Sequence, residues 1–127
     1  MEHRGTETVL LVEDEESLRA VVQEMLESLG YSVLAAGCSN DALALARAYP
    51  GNIDLLLSDV LMPPTLNGPE LAAELARMRP GIKVIFMSGY ATGSIAPEGE
   101  LKPGTILVHK PFSLRLLAAK LREVLDA

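Results

Sequence analysis

Five short apolar runs alternate with segments of helical period, and this alternation constrains the fold more than any other feature of the chain. The runs lie in "TVLLVEDE" (8–15), "YSVLAA" (31–36), "IDLLLSD" (53–59), "KVIFMSG" (83–89) and "TILVHK" (105–110). Between and after them come "ESLRAVVQEMLESLG" (16–30), "SNDALALARAYPG" (39–51), "PELAAELARMRPG" (69–81) and "SLRLLAAKLREVLDA" (113–127). Strands that alternate with helices predict an α/β domain: a parallel sheet, helices on both faces, right-handed crossovers.

Local signals place the element ends. Leu18, Val22, Met25, Leu26 and Leu29 fall on one helical face, and Gly30 is a C-terminal stop. The capping residues that open "SNDALALARAYPG" and the Pro50-Gly51 pair bound the second helix. Pro69 suits a first turn, Pro80-Gly81 a stop, and Ser113 an N-cap ahead of the stripe Leu117, Leu121, Val124 and Leu125. The second strand is short and alternating, which suits a sheet edge. The stretch "YATGSIAPEGELKPG" (90–104) has little periodicity, so a fourth helix there is expected to be short or irregular. Residues 1–7 are polar and are read as a flexible leader or linker remnant, with the folded domain spanning 8–127.

The chain is long enough, at 127 residues, for one domain with one core. Aromatic residues make up only 4%, so that core is aliphatic. A net charge of −6 argues against a nucleic-acid backbone binder. The single cysteine, Cys38, rules out an internal disulfide and any multi-cysteine metal site. No apolar run approaches the ~18 residues of a spanning helix, so a soluble, cytoplasmic domain is expected.

Polar residues gather where the strands end. Glu13 and Asp14 follow the first strand, Asp59 closes the third, Ser88 the fourth, and His109-Lys110 the fifth. In open α/β sheets the carboxyl ends of the strands form the ligand edge. Asp59 is the most informative, because it ends a run buried on both faces, where an unpaired carboxylate is costly. Three carboxylates without His or Cys suit a hard cation, Mg²⁺, with waters retained. Lys110 and Ser88 leave room for an anion beside it. The set fits phosphoryl transfer with Asp59 as nucleophile. Taken one at a time the residues are ordinary. An acidic pair can lead a helix, an aspartate can cap a turn, and a lysine usually faces solvent. His109 is read as a strand-end residue, out of phase with Lys110.

The motifs "LLVEDE", "LLLSDVLMP", "NGPEL", "FMSGYA" and "HKPFS", in this order over roughly residues 7–126, resemble the receiver domain of two-component response regulators. The resemblance implies a flavodoxin-like (CheY-like), doubly wound five-stranded sheet of order 2-1-3-4-5. It implies that Asp59 accepts a phosphoryl group from a histidine kinase or phosphotransfer domain. Asp14 would bind Mg²⁺ directly, Glu13 through water, and Leu61 through its backbone carbonyl. Ser88 would bond a phosphoryl oxygen, and Lys110 would pair with the phosphate and precede a cis Pro111. Leu107 stands where the family often has a switching aromatic, which makes Leu107 and Tyr90 the switch candidates. Neither Leu61 nor Tyr90 is suited to position a water, so a long-lived phosphoryl state is expected. The opening "RGTETVLLVEDE" and the 90–104 stretch also resemble receivers attached to hybrid sensor histidine kinases. The expected state is a monomer or weak dimer with at most slow autodephosphorylation, not an enzyme.

Two other functions use the same fold. One is a phosphate-independent protein-interaction module. The other is a Mg²⁺-dependent phosphatase with an aspartate nucleophile, which lacks an acid two residues on, where Leu61 stands.

Overall fold

The computed structural model describes residues 5–60, 67–88, 106–110 and 112–127. Among them the chain forms β1 (Thr8–Val12), α1 (Glu16–Ser28), β2 (Ser32–Ala36), α2 (Ser39–Ala48), β3 (Leu55–Asp59), α3 (Gly68–Met78), β4 (Lys83–Ser88), β5 (Ile106–His109) and α4 (Leu114–Leu125). All strand pairs are parallel, in the order β2-β1-β3-β4-β5. The predicted sheet and its order are what the structure contains. The 90–104 stretch, and with it the expected irregular helix, lies outside the described residues, as do Leu61, Tyr90 and Pro111.

Strand alternation divides the aliphatic side chains between two faces. Val9, Leu11, Leu55, Leu57, Ile85 and Met87 pack with Val22 and Leu26 of α1 and Leu117 and Leu121 of α4. Leu10, Val12 and Leu56 pack with Ala42 and Ala46 of α2 and Leu71 and Leu75 of α3. Burial on both faces explains why β1 and β3 read as unbroken apolar runs, whereas β2, at the sheet edge, is only partly buried. Each of these fully buried leucines contributes about 2 kcal/mol from area removed from water.

The helix ends follow the sequence signals with one exception. Gly30 takes φ +99°, a left-handed stop after α1. Ser113 Oγ accepts a hydrogen bond from the Leu116 N–H at 3.0 Å. Asn67 and Glu70 form a reciprocal capping box at the start of α3. The exception is α2. Cys38 occupies its N-cap without a side-chain bond, and Ser39, expected among the capping residues, is the first helical residue and fully buried.

The stretch ahead of β1, part of the 1–7 leader expected from sequence, makes bonds of its own. Gly5 N–H donates to Leu29 O at 3.0 Å, and Glu7 accepts two hydrogen bonds from Arg122 at 2.9 Å each. Arg122 also bonds Asp126 and the Tyr31 hydroxyl. Nearby, Arg79 donates to the carbonyl oxygens of Ala46, Tyr49 and Gly51 at 2.9, 2.7 and 2.6 Å, which satisfies the end of α2. Arg79 and Glu7 line one cavity of 280 Å³ at the amino ends of β1, β3 and β4. No helix of the described residues is long and apolar enough to cross a membrane.

Candidate functional site

The opposite edge of the sheet carries the charged cluster. β1 and β3 are hydrogen-bonded neighbours in the middle of the sheet, so the residues that leave their carboxyl ends emerge side by side. Glu13 is 1% exposed, Asp59 5% and Ser88 3%, which puts three polar side chains inside the protein at one sheet edge. Lys110 follows β5 and reaches across to both carboxylates. Its Nζ lies 2.8 Å from Asp59 Oδ1 and 3.0 Å from Glu13 Oε1. The Lys110 backbone N–H donates to Ser88 O at 2.7 Å, which ties the end of β5 to the end of β4.

Glu13 is held at every polar atom. Its N–H donates to Ala36 O at 3.1 Å, and its carbonyl accepts from Arg19 Nη1 at 2.9 Å. Oε1 takes the Lys110 bond, and Oε2 accepts the Glu15 N–H at 3.0 Å. Asp14, by contrast, is exposed. Carboxylate oxygens of Glu13, Asp14 and Asp59 all lie within 4.8 Å of one another. This donor set fits a small hard cation: only oxygens are offered, and opposite ligands of an octahedral Mg²⁺ stand about 4.2 Å apart.

Electrostatics make the cluster unbalanced. Burial pushes the Asp59 carboxyl up to about 7. Its hydrogen bond to Lys110 opposes that rise, and the neighbouring Glu13 adds to it. For Lys110 burial works against the charged form, but the bonds to Asp59 and Glu13 together outweigh it and hold the ammonium above its ordinary value. Three carboxylates thus cluster around an ammonium that bonds two of them, Glu13 and Asp59, and the surplus is negative. A cation at this edge would relieve it.

The backbone at Asp59 and Val60 packs closely against the start of α3. The Val60 N–H donates to Met87 O at 3.1 Å, and the Gly68 N–H donates to Val60 O at 2.7 Å. A Cβ on Gly68 would lie 2.3 Å from Asp59 O and 2.9 Å from the Phe86 ring, so only glycine lets α3 begin against the backbone of Asp59. Ser58 Oγ donates to the same Asp59 carbonyl at 2.9 Å.

Of the residues singled out from sequence, the structure brings Glu13, Asp14, Asp59 and Lys110 into one cluster and buries Ser88 at its strand end. Leu107 sits half-buried in β5, in register with Phe86. His109, the last residue of β5, is exposed. Leu61 and Tyr90 lie outside the described residues. Sequence reasoning passed over Arg19, and it gave Gly68 no role beyond its place in the motif "NGPEL". Arg19 left one signal: a cation four residues into a helix opposes the helix dipole, so it is expected to serve another purpose.

Comparison with known proteins points one way. The family described as the response regulator receiver domain matches residues 9–122. The chain is 40% identical over 122 residues to the sensor kinase CckA of Brucella abortus, covering 96% of this chain but 13% of that kinase. It is 32% identical to the response regulator receiver protein CpdR of the same organism, covering 94% of this chain and 97% of CpdR. Among solved structures, the receiver domain from the hybrid histidine kinase CckA superposes with a TM-score of 0.75 at 31% identity, covering 91% of this chain and 96% of that domain. A response regulator receiver protein from Sinorhizobium medicae WSM419 shares the fold, with a TM-score of 0.81 at 24% identity over 96% of each chain.

Proposed function

The chain belongs to the response regulator receiver domain family, and we propose that within it Asp59 is the phosphoacceptor of a two-component phosphorelay. The observation that carries this reading is the Lys110 ammonium, shared between Asp59 and Glu13 inside a cluster of three carboxylates. Asp14 and Asp59 would hold Mg²⁺ directly, Glu13 through water, and Leu61 through its backbone carbonyl. When bound there, Mg²⁺ supplies charge neutralisation at the phosphoryl oxygens.

In the transfer an Asp59 oxygen attacks the phosphorus of a phosphohistidine. The P–O bond forms as the P–N bond breaks, and the imidazole leaves with the bonding pair. Lys110 exchanges its bond to Asp59 for one to the incoming phosphoryl group, and the Ser88 hydroxyl donates to another of its oxygens. The Lys110 bond to Asp59 and the burial of Ser88 at the end of β4 support this reading, since both groups start close to the acceptor. The product is an acyl phosphate on a switch, without turnover of a substrate. The donor is a histidine kinase or phosphotransfer domain. Identity of 40% to a sensor kinase, against 32% to a single-domain regulator, favours a hybrid kinase as the parent context, with residues 8–127 as its receiver in the cytoplasm.

The test is intact-mass measurement after incubation with Mg²⁺ and acetyl phosphate. One phosphoryl group on the wild type and none on Asp59→Asn is the expected outcome. An adduct on both proteins would move the acceptor elsewhere. No adduct on either, with acetyl phosphate or any kinase tried, would leave the phosphate-independent interaction module as the better reading.

A further inference from the structure

Asp14 presents a difficulty to a metal site. It is exposed, and a side chain in water must lose rotamer and backbone freedom when it binds an ion. The neighbouring Glu13 is fixed at four points, and one of these bears directly on Asp14. The Glu13 carbonyl belongs to the peptide plane that ends at the Asp14 Cα, so fixing that oxygen fixes where Asp14 begins. The group that fixes it is Arg19 Nη1, at 2.9 Å.

The guanidinium is itself seated. Gly37 lies beneath it, and a Cβ there would stand 3.0 Å from Arg19 Nη1 and 3.7 Å from Cζ. The residue before Gly37 is Ala36, whose carbonyl accepts the Glu13 N–H. The end of β2 therefore bears on the Glu13 peptides twice: Ala36 through a backbone bond, and Gly37 by leaving space for the Arg19 guanidinium. Arg19 is well suited to this because its planar donors remain protonated at every working pH.

We infer that Arg19 is a positioning residue for the Glu13–Asp14 pair, holding the peptide plane that aims Asp14 at the cation. Arg19 does not touch the reacting atoms. The inference rests on the reading of the cluster as a Mg²⁺ site, and it predicts something that reading alone does not: a residue outside the carboxylates sets the ion affinity. Loss of such a supporting group typically weakens metal binding by about tenfold or more.

Calorimetric titration with MgCl₂ tests it on wild type, Arg19→Ala, Arg19→Lys and Gly37→Ala. Arg19→Ala is expected to bind Mg²⁺ about tenfold more weakly. Arg19→Lys, which can donate to the same carbonyl, recovers most of that loss. Gly37→Ala shifts affinity in the same direction by a smaller factor, because its methyl displaces the guanidinium. Phosphorylation by acetyl phosphate should slow in Arg19→Ala at low Mg²⁺ and return close to the wild-type rate at saturation. Wild-type affinity in Arg19→Ala overturns the inference and leaves the metal-site reading standing. If that variant does not fold, wild-type affinity in Gly37→Ala overturns it instead. A wild type that binds no Mg²⁺ overturns both.

Discussion

The two ends of the sheet treat charge in opposite ways. At the amino ends of the strands, cations and acceptors are matched: Arg79 spreads over three carbonyl oxygens, Arg122 meets Glu7 and Asp126, and Asp54 accepts the Thr8 N–H at 2.9 Å. At the carboxyl ends, Glu13, Asp14 and Asp59 lie together, and among the described residues the Lys110 ammonium bonds two of them, Glu13 and Asp59. Both ends lie on the same strands and are held by the same core. The matched end gains stability from its polar groups. The unmatched end sacrifices some and acquires a demand for positive charge, which is what a site for a cation and a phosphoryl group requires.

Removing Lys110 should show the contrast most strongly. Lys110→Met leaves two buried carboxylates facing each other, and a loss of about 3 kcal/mol is expected in urea unfolding. A loss well below that would mean the carboxyl end is already neutralised by other means, and the contrast would collapse. Arg79→Ala comes next. It abandons three charge-assisted bonds at the end of α2 and should cost about 2 kcal/mol. Its Mg²⁺ affinity should equal that of the wild type, so any change in affinity would break the separation between the ends.

The smallest effect belongs to Glu7. Its hydrogen bonds from Arg122 hold the carboxyl below its ordinary value of 4.5, against the pull of burial. The folded value is the depressed one, so the stabilisation is present above pH 4.5 and fades as pH falls through the folded value. Glu7→Gln should therefore lower Tm at pH 7 by about 4 °C, from about 1 kcal/mol. The gap to wild type should close as the pH is taken below 4.5. A gap that stays constant would show that charge contributes nothing to this matched pair.

Much of this is legible in the sequence alone. β1, β3 and β4 announce themselves because parallel strands buried on both faces need unbroken apolar runs. Asp59 stands out because it interrupts such a run. Glu13 and Asp14 follow the same logic. What the sequence hides are long-range choices among equals. Lys110 is legible as a strand-end residue of the site, but the direct bonds its ammonium makes to both Asp59 and Glu13, 51 and 97 positions away, are not. Arg122 and Glu7 are 115 positions apart and look like two solvated charges. At α2, Ser39 looked like a cap and Cys38 holds that place, because the burial of Ser39 outweighs its local preference.

Gly68 has one more consequence. Every amino acid that a missense change could put there carries a Cβ, and a Cβ at that point runs into the carbonyl of Asp59. The position has no neighbouring alternatives through which a lineage could drift. A receiver that loses its phosphoryl chemistry is released from the demand at Asp59 itself, yet not from this steric one while the turn remains. Gly68 should thus outlast the aspartate in descendants of this chain that have given up phosphorylation, a trace of the site left behind in the backbone.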